Sequence, residues 1–119
     1  MRATKLHQFP PGSEVGSICY DPERLAVQVR PGVSVTFLDA VGFRVLDEGD
    51  LLEFWPACSV PYGSGLFEID DGGWLAQERA RQGFVSATRA NIREFLVTGP
   101  DDCISVFALN PPEIGDAAL

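Results

Sequence analysis

RLAVQVRPGVSVTF, residues 24–37, decides the fold class. Leu25, Val27 and Val29 alternate with Ala26 and Gln28, and Val33, Val35 and Phe37 alternate with Ser34 and Thr36. Successive side chains of a β-strand point to opposite faces, so this period of two predicts two strands, each with one buried and one wet face. Pro31-Gly32 between them predicts a tight hairpin turn, Pro31 presetting φ and Gly32 accepting a positive one. Further along, REFLVTGPDDCISVFAL, residues 93–109, predicts a second hairpin around GPDD, its two arms rich in β-branched and aromatic residues. Turn signals recur at PPG (10–12), DPE (21–23), EGD (48–50), VPYGSG (60–65), DDGG (70–73) and NPP (110–112), the rhythm of short strands. Phe43 and Val45, then Leu52 and Phe54, continue the alternation less cleanly.

One segment has a different period. In WLAQERARQG, residues 74–83, Glu78 stands at helical spacing from Arg81 and Gln82, and Gly83 occupies the place of a C-cap glycine. A helix near residues 73–82 follows, with Trp74, Leu75 and Ala80 as its apolar side, and a short turn is expected at residues 86–91. The architecture expected is α+β and mostly antiparallel, a sandwich or strongly bent sheet with one short helix.

The chain has 119 residues and 12.9 kDa, 45% of them apolar and 22% charged. That is enough for one core and excludes disordered or coiled-coil classes, so residues 1–119 are expected to form one domain with 115–119 as a frayed tail. The opening MRATKLHQFPPGSE lacks the apolar run of a signal peptide, and the longest uncharged stretch, 54–67, is too short to span a bilayer. Cys19, Cys58 and Cys103 form no CxxC, and an odd count fits a reducing compartment, with core positions expected for most of them. Together these predict a cytoplasmic protein.

Acidic residues number 17 against 9 basic, for a formal charge of −8. Residues 39–71 hold most of the excess: Arg44 is the only base among Asp39, Asp47, Glu48, Asp50, Glu53, Glu68, Asp70 and Asp71. A chain so poor in clustered Lys and Arg is not expected to bind nucleic acid or an anionic membrane. His7, the only histidine, lies on an expected first strand and is read as an ordinary strand residue. No serine or cysteine sits in a nucleophile motif, and GSG at 63–65 lacks the lysine of a phosphate loop. No enzyme, cofactor or metal site is therefore expected, and most of the carboxylates are read as solvated turn acids capping local N–H groups.

What remains is protein binding. Asp47, Glu48, Asp50 and Glu53 surround one turn, and Asp70 and Asp71 would join them if the two segments pair. Trp55 and Tyr62, beside the loop at 56–65, fit either a core or an interface anchor. These eight residues are the candidate partner-binding set.

Three stretches, SVTFLDAVGFRVLDEGDLLEFW (34–55), GGWLAQE (72–78) and REFLVTGPDDCISVFALNPPEI (93–114), together resemble small bacterial β-rich proteins of the immunity class found in polymorphic and contact-dependent toxin systems. The resemblance implies a cytoplasmic inhibitor that blocks a toxin domain, and assigns no individual residue a role. A carboxylate-rich surface could steer such an inhibitor to a basic toxin or nuclease domain. The alternatives are a homo-oligomeric or accessory subunit of a larger complex and, third, a small-ligand-binding domain.

Overall fold

The structure, a computed structural model, describes residues 2–47, 65–81, 83, 91–99 and 102–116. Within them the chain forms β1 (Arg2–Gln8), β2 (Glu14–Asp21), β3 (Arg24–Arg30), β4 (Val33–Phe37), β5 (Ala40–Asp47), β6 (Gly65–Asp71), α1 (Trp74–Ala80), β7 (Arg93–Thr98), β8 (Asp102–Ala108) and β9 (Glu113–Asp116). A five-stranded sheet has the order β1-β6-β7-β8-β5 and a four-stranded sheet the order β2-β3-β4-β9, every pairing being antiparallel. The fold is thus the β-rich α+β arrangement that the alternation in residues 24–37 predicts.

Leu25, Val27 and Val29 of β3 pair with Phe37, Val35 and Val33 of β4, so the alternating apolar residues share one face. That face meets Phe95, Val97, Ile104 and Val106 of the five-stranded sheet, and together they form the main core. Burying each such side chain contributes about 1.5–3 kcal/mol. Phe37 and Phe95 meet across the core with ring centroids 5.6 Å apart. Phe9, also buried, packs between β1 and β2, where Ser13 closes the Pro10–Gly12 turn by donating through Oγ and N–H to the Pro10 carbonyl.

A second apolar cluster, Phe67, Ile69, Leu96 and Cys103, lies on the opposite face of the five-stranded sheet. The two clusters alternate along β6, β7 and β8, which makes these strands buried on both sides.

Several local expectations change. The Arg30–Pro31 peptide is cis, and Gly32 is not in the left-handed region, which among the described residues holds Gly12, Gly72 and Gly83. The β3–β4 turn therefore closes without the positive φ anticipated. Gly115 and Asp116 belong to β9, paired with Ser34 and Val33, rather than to a frayed tail. The helix ends at Ala80, with extended Arg81 as its C-cap and Gly83 beyond it. Ala80 is exposed, whereas Glu78 is half-buried, because Glu78 rather than Ala80 turns toward Trp74. Cys103 is in the core but Cys19 is exposed on β2. Leu52, Phe54, Cys58 and the turn at 86–90 lie outside the described residues.

Candidate functional site

Strand register decides which candidate acids can act together. Asp47, at the end of β5, stands opposite Asp102, the first residue of β8. At the same level across the sheet lie Cys103 opposite Thr98, and Thr98 opposite Gly65. Asp70 and Asp71 are therefore at the far end of β6, near the level of Arg2, and three strand spacings away from Asp47. With about 4.8 Å between strands and about 3.3 Å per residue, the separation exceeds about 20 Å, well beyond a Debye length of about 8 Å. The two acidic segments do not pair, and these carboxylates do not form one surface.

Four other acids, Asp70, Glu68, Asp21 and Asp39, have partners of their own among the described residues. Asp70 accepts a 2.7 Å hydrogen bond from Thr4 Oγ1. Glu68 receives both Nε and Nη2 of Arg93, each at 2.7 Å, across β6 and β7. Asp21 caps its own turn by accepting from the N–H groups of Glu23 and Arg24. Asp39 bridges from the β4–β5 connection to Leu109 N–H and the Asn110 amide. Asp21 alone of these is a local N–H cap; Glu68, Asp70 and Asp39 bond across the fold to groups 25 or more residues away. Glu48, Asp50, Glu53, Trp55 and Tyr62 lie outside the described residues.

Asp102, by contrast, is exposed, and in the ladder it is in register with Asp47. Beside this end of the molecule, β2 and β5 flank the sandwich on one side. Tyr20 of β2 lays its ring 5.6 Å from that of Phe43, yet stays 56% exposed. Val45, two residues beyond Phe43, is 47% exposed, and Leu38 and Val41, before it in the chain, are also exposed. Tyr20, Leu38, Val41 and Val45 thus expose large apolar side chains on and beside β5, whose last residue, Asp47, is in register with the exposed Asp102. Tyr20, Val45 and Asp102 are absent from the candidates read from sequence. The signal for Asp102 was available in the GPDD turn, but its meeting with Asp47 depends on the β5–β8 pairing.

On the outer side of β5, the Trp74 ring stacks on Phe107 with centroids 3.9 Å apart and a 24° tilt, and the Arg44 guanidinium lies 4.6 Å above it. Trp74 Nε1 donates to Glu78 at 3.0 Å, and Arg81 Nε donates to the same carboxylate. Those two donors, the Arg81 guanidinium foremost, hold the Glu78 carboxyl below its ordinary range. A groove of about 260 Å³ runs between Val41, Gly42 and Phe43 on one side and Trp74, Glu78 and Arg81 on the other, with Phe107 as floor. Behind the helix, Glu94 of β7 accepts from the N–H groups of Trp74 at 3.2 Å and Leu75 at 2.8 Å.

Among the described residues, no three His, Cys, Asp or Glu side chains converge as a metal site, and no helix is long and apolar enough to cross a membrane. No family model, no curated protein and no solved structure matches the chain.

Proposed function

We propose that the protein is a non-enzymatic binding domain of the immunity type, which neutralises a basic toxin or nuclease domain by docking it on the β2–β5 side of the sandwich. The observation that carries this reading is the exposure of Tyr20, Leu38, Val41 and Val45 on and beside β5, with the exposed Asp102 in register with the end of that strand. Apolar side chains at the centre with charges at the rim are the anatomy of a protein interface, where an aromatic anchor supplies affinity and the charges set encounter rate. An overall charge of −8 favours a cationic partner. Asp70 and Asp71 stand outside this surface, Asp102 joins the candidates at its end, and Glu48, Asp50 and Glu53 lie outside the described residues.

The test is binding to a basic protein encoded beside this one, followed by surface plasmon resonance. Asp47→Lys with Asp102→Lys is expected to slow association about tenfold, with a steeper loss at low salt than at high salt. Tyr20→Ala is expected to speed dissociation while leaving association nearly unchanged. Association indifferent to salt and to both reversals would remove the acidic end from the interface. A mass that doubles with concentration in sedimentation would replace the toxin by a second copy of the chain.

A further inference from the structure

The groove between α1 and β5 joins an aromatic floor to a charged rim. Its floor, Phe107 of β8, carries the stacked Trp74 ring and stands in register with Gly42 of β5. Gly42 is where the space originates. Its backbone lies outside the left-handed region, even beside the register shift between Ala40 and Gly42, and a Cβ there would meet nothing closer than Phe107 Cδ2 at 3.9 Å. Neither conformation nor crowding calls for glycine at this position, in contrast to Gly73, where a Cβ would stand 2.7 Å from Ile69 Cγ2. A glycine within a strand forgoes side-chain packing, and such positions recur where a ligand approaches the backbone. Here it keeps the space beside the Trp74–Phe107 stack open.

The rim selects for charge. Glu78 and Arg81, the charged residues lining the groove, are bonded to each other but unequally accessible. The Glu78 side chain is 21% exposed and enclosed by Trp74 Nε1 and Arg81, whereas that of Arg81 is 56% exposed. A guanidinium presents several N–H donors in a planar fork, so its bond to Glu78 does not exhaust it. Arg44, 4.6 Å above the Trp74 ring, adds a second positive charge nearby. Glu94, the other carboxyl near Trp74, is buried behind the helix with both oxygens bonded to the N–H groups of Trp74 and Leu75. A ligand entering the groove therefore meets a cation at its polar end.

Volume narrows the class further. A cavity of about 150 Å³ accommodates benzene, and drug-sized ligands occupy about 300–1,000 Å³. At about 260 Å³ the groove has room for one ring with a short substituent and not for a nucleotide. We propose that this groove binds a small aromatic carboxylate, its ring over Gly42 against the Trp74–Phe107 pair and its carboxylate on Arg81. The inference stands apart from the protein partner suggested above, whose surface shares only Val41 with the groove. The overall charge of −8 repels an anion at long range, but physiological salt screens charges beyond about 8 Å, so the groups at the rim decide.

The experiment is an NMR titration of the intact protein at neutral pH with phenylacetate, compared with benzyl alcohol, benzylammonium and propionate. Phenylacetate is expected to shift the Gly42 amide and Trp74 indole resonances together, half-saturating on the order of 1 mM. Benzyl alcohol, which keeps the ring without the charge, is expected to bind about fivefold more weakly. Benzylammonium and propionate are expected not to saturate. Gly42→Val, which fills the groove, is expected to weaken phenylacetate at least about tenfold while leaving the thermal midpoint unchanged or higher, since a β-branched residue suits a strand. Arg81→Gln is expected to bring phenylacetate to the level of benzyl alcohol and leave benzyl alcohol unaltered. No saturating shift at Gly42 and Trp74, full binding retained in Gly42→Val, or benzylammonium binding as tightly as phenylacetate would each overturn the assignment. If Gly42→Val fails to fold, the ligand series on the native protein and Arg81→Gln still decide it.

Discussion

The two sheets use the same strand chemistry under different burial. In the four-stranded sheet, β3 alternates strictly between buried and open positions, and small or polar residues such as Ala26, Gln28, Ser34 and Thr36 occupy its outward side. In the five-stranded sheet, β7 and β8 are buried almost throughout, on both faces. The outer face of that sheet still carries polar groups, Glu94, Thr98 and Ser105, and they are buried with it. Polar residues at alternating positions are thus half-buried on the outer side of the four-stranded sheet and fully buried in the five-stranded one, where Glu94 and Thr98 are hydrogen-bonded. Glu94 caps α1, and Thr98 Oγ1 both accepts from and donates to the backbone of Gly65.

Substitutions on the two outer faces put that contrast to the test against a reference in the shared core. Phe95→Ala, at the centre of the sandwich, should cost about 3–5 kcal/mol in urea unfolding. Leu96→Ala, one residue along and facing outward, should cost about 2–5 kcal/mol because its face is also a core. Thr36→Ala on the outer face of the four-stranded sheet should fall within about 0.5 kcal/mol of zero. A loss for Leu96→Ala as small as that for Thr36→Ala would make the sheets equivalent and break the comparison. Thr98→Val is next in size: it removes both bonds to Gly65 inside a buried setting and should cost about 1–3 kcal/mol. A neutral result would mean that this polar position behaves like Thr36.

This difference also explains what could be foreseen. The β3–β4 hairpin was legible because one-sided burial writes a period of two into the sequence. The β7–β8 hairpin was legible as a hairpin, though its two-sided burial was not, since Glu94, Thr98 and Ser105 look like an outward-facing polar row. Edge strands left weaker marks: RATKLHQ and EIGD have little apolar pattern, and they become β1 and β9 by pairing with β6 and β4. For the candidate site, Asp47 was visible in the charge asymmetry. Its neighbour Asp102 and the exposed Tyr20 were not, because strand order and sheet packing rather than sequence distance bring them to one side. The cap on α1 was hidden for the same reason, with about twenty residues between Glu94 and the N–H groups it accepts.

The smallest expected effect separates the sheets once more, through one cross-strand ion pair in each. Glu68 and Arg93 of the five-stranded sheet make two hydrogen bonds of 2.7 Å, with side chains 19% and 37% exposed. Glu14 and Arg30 of the four-stranded sheet stand 3.7 Å apart and are 51% and 66% exposed. Bidentate geometry fixes the first pair at little further entropy cost, whereas water screens the second. Double-mutant cycles should therefore give a coupling of up to about 1 kcal/mol for Glu68–Arg93 and about zero for Glu14–Arg30. The hydrogen bond to Glu68 holds the Arg93 guanidinium above the ordinary arginine range, so its contribution is fully present at neutral pH and would be lost only as pH rose past that range. Equal couplings in the two sheets would show that partial burial on the five-stranded side does not extend to its charged rim, and would confine the contrast to the apolar and hydrogen-bonded interior.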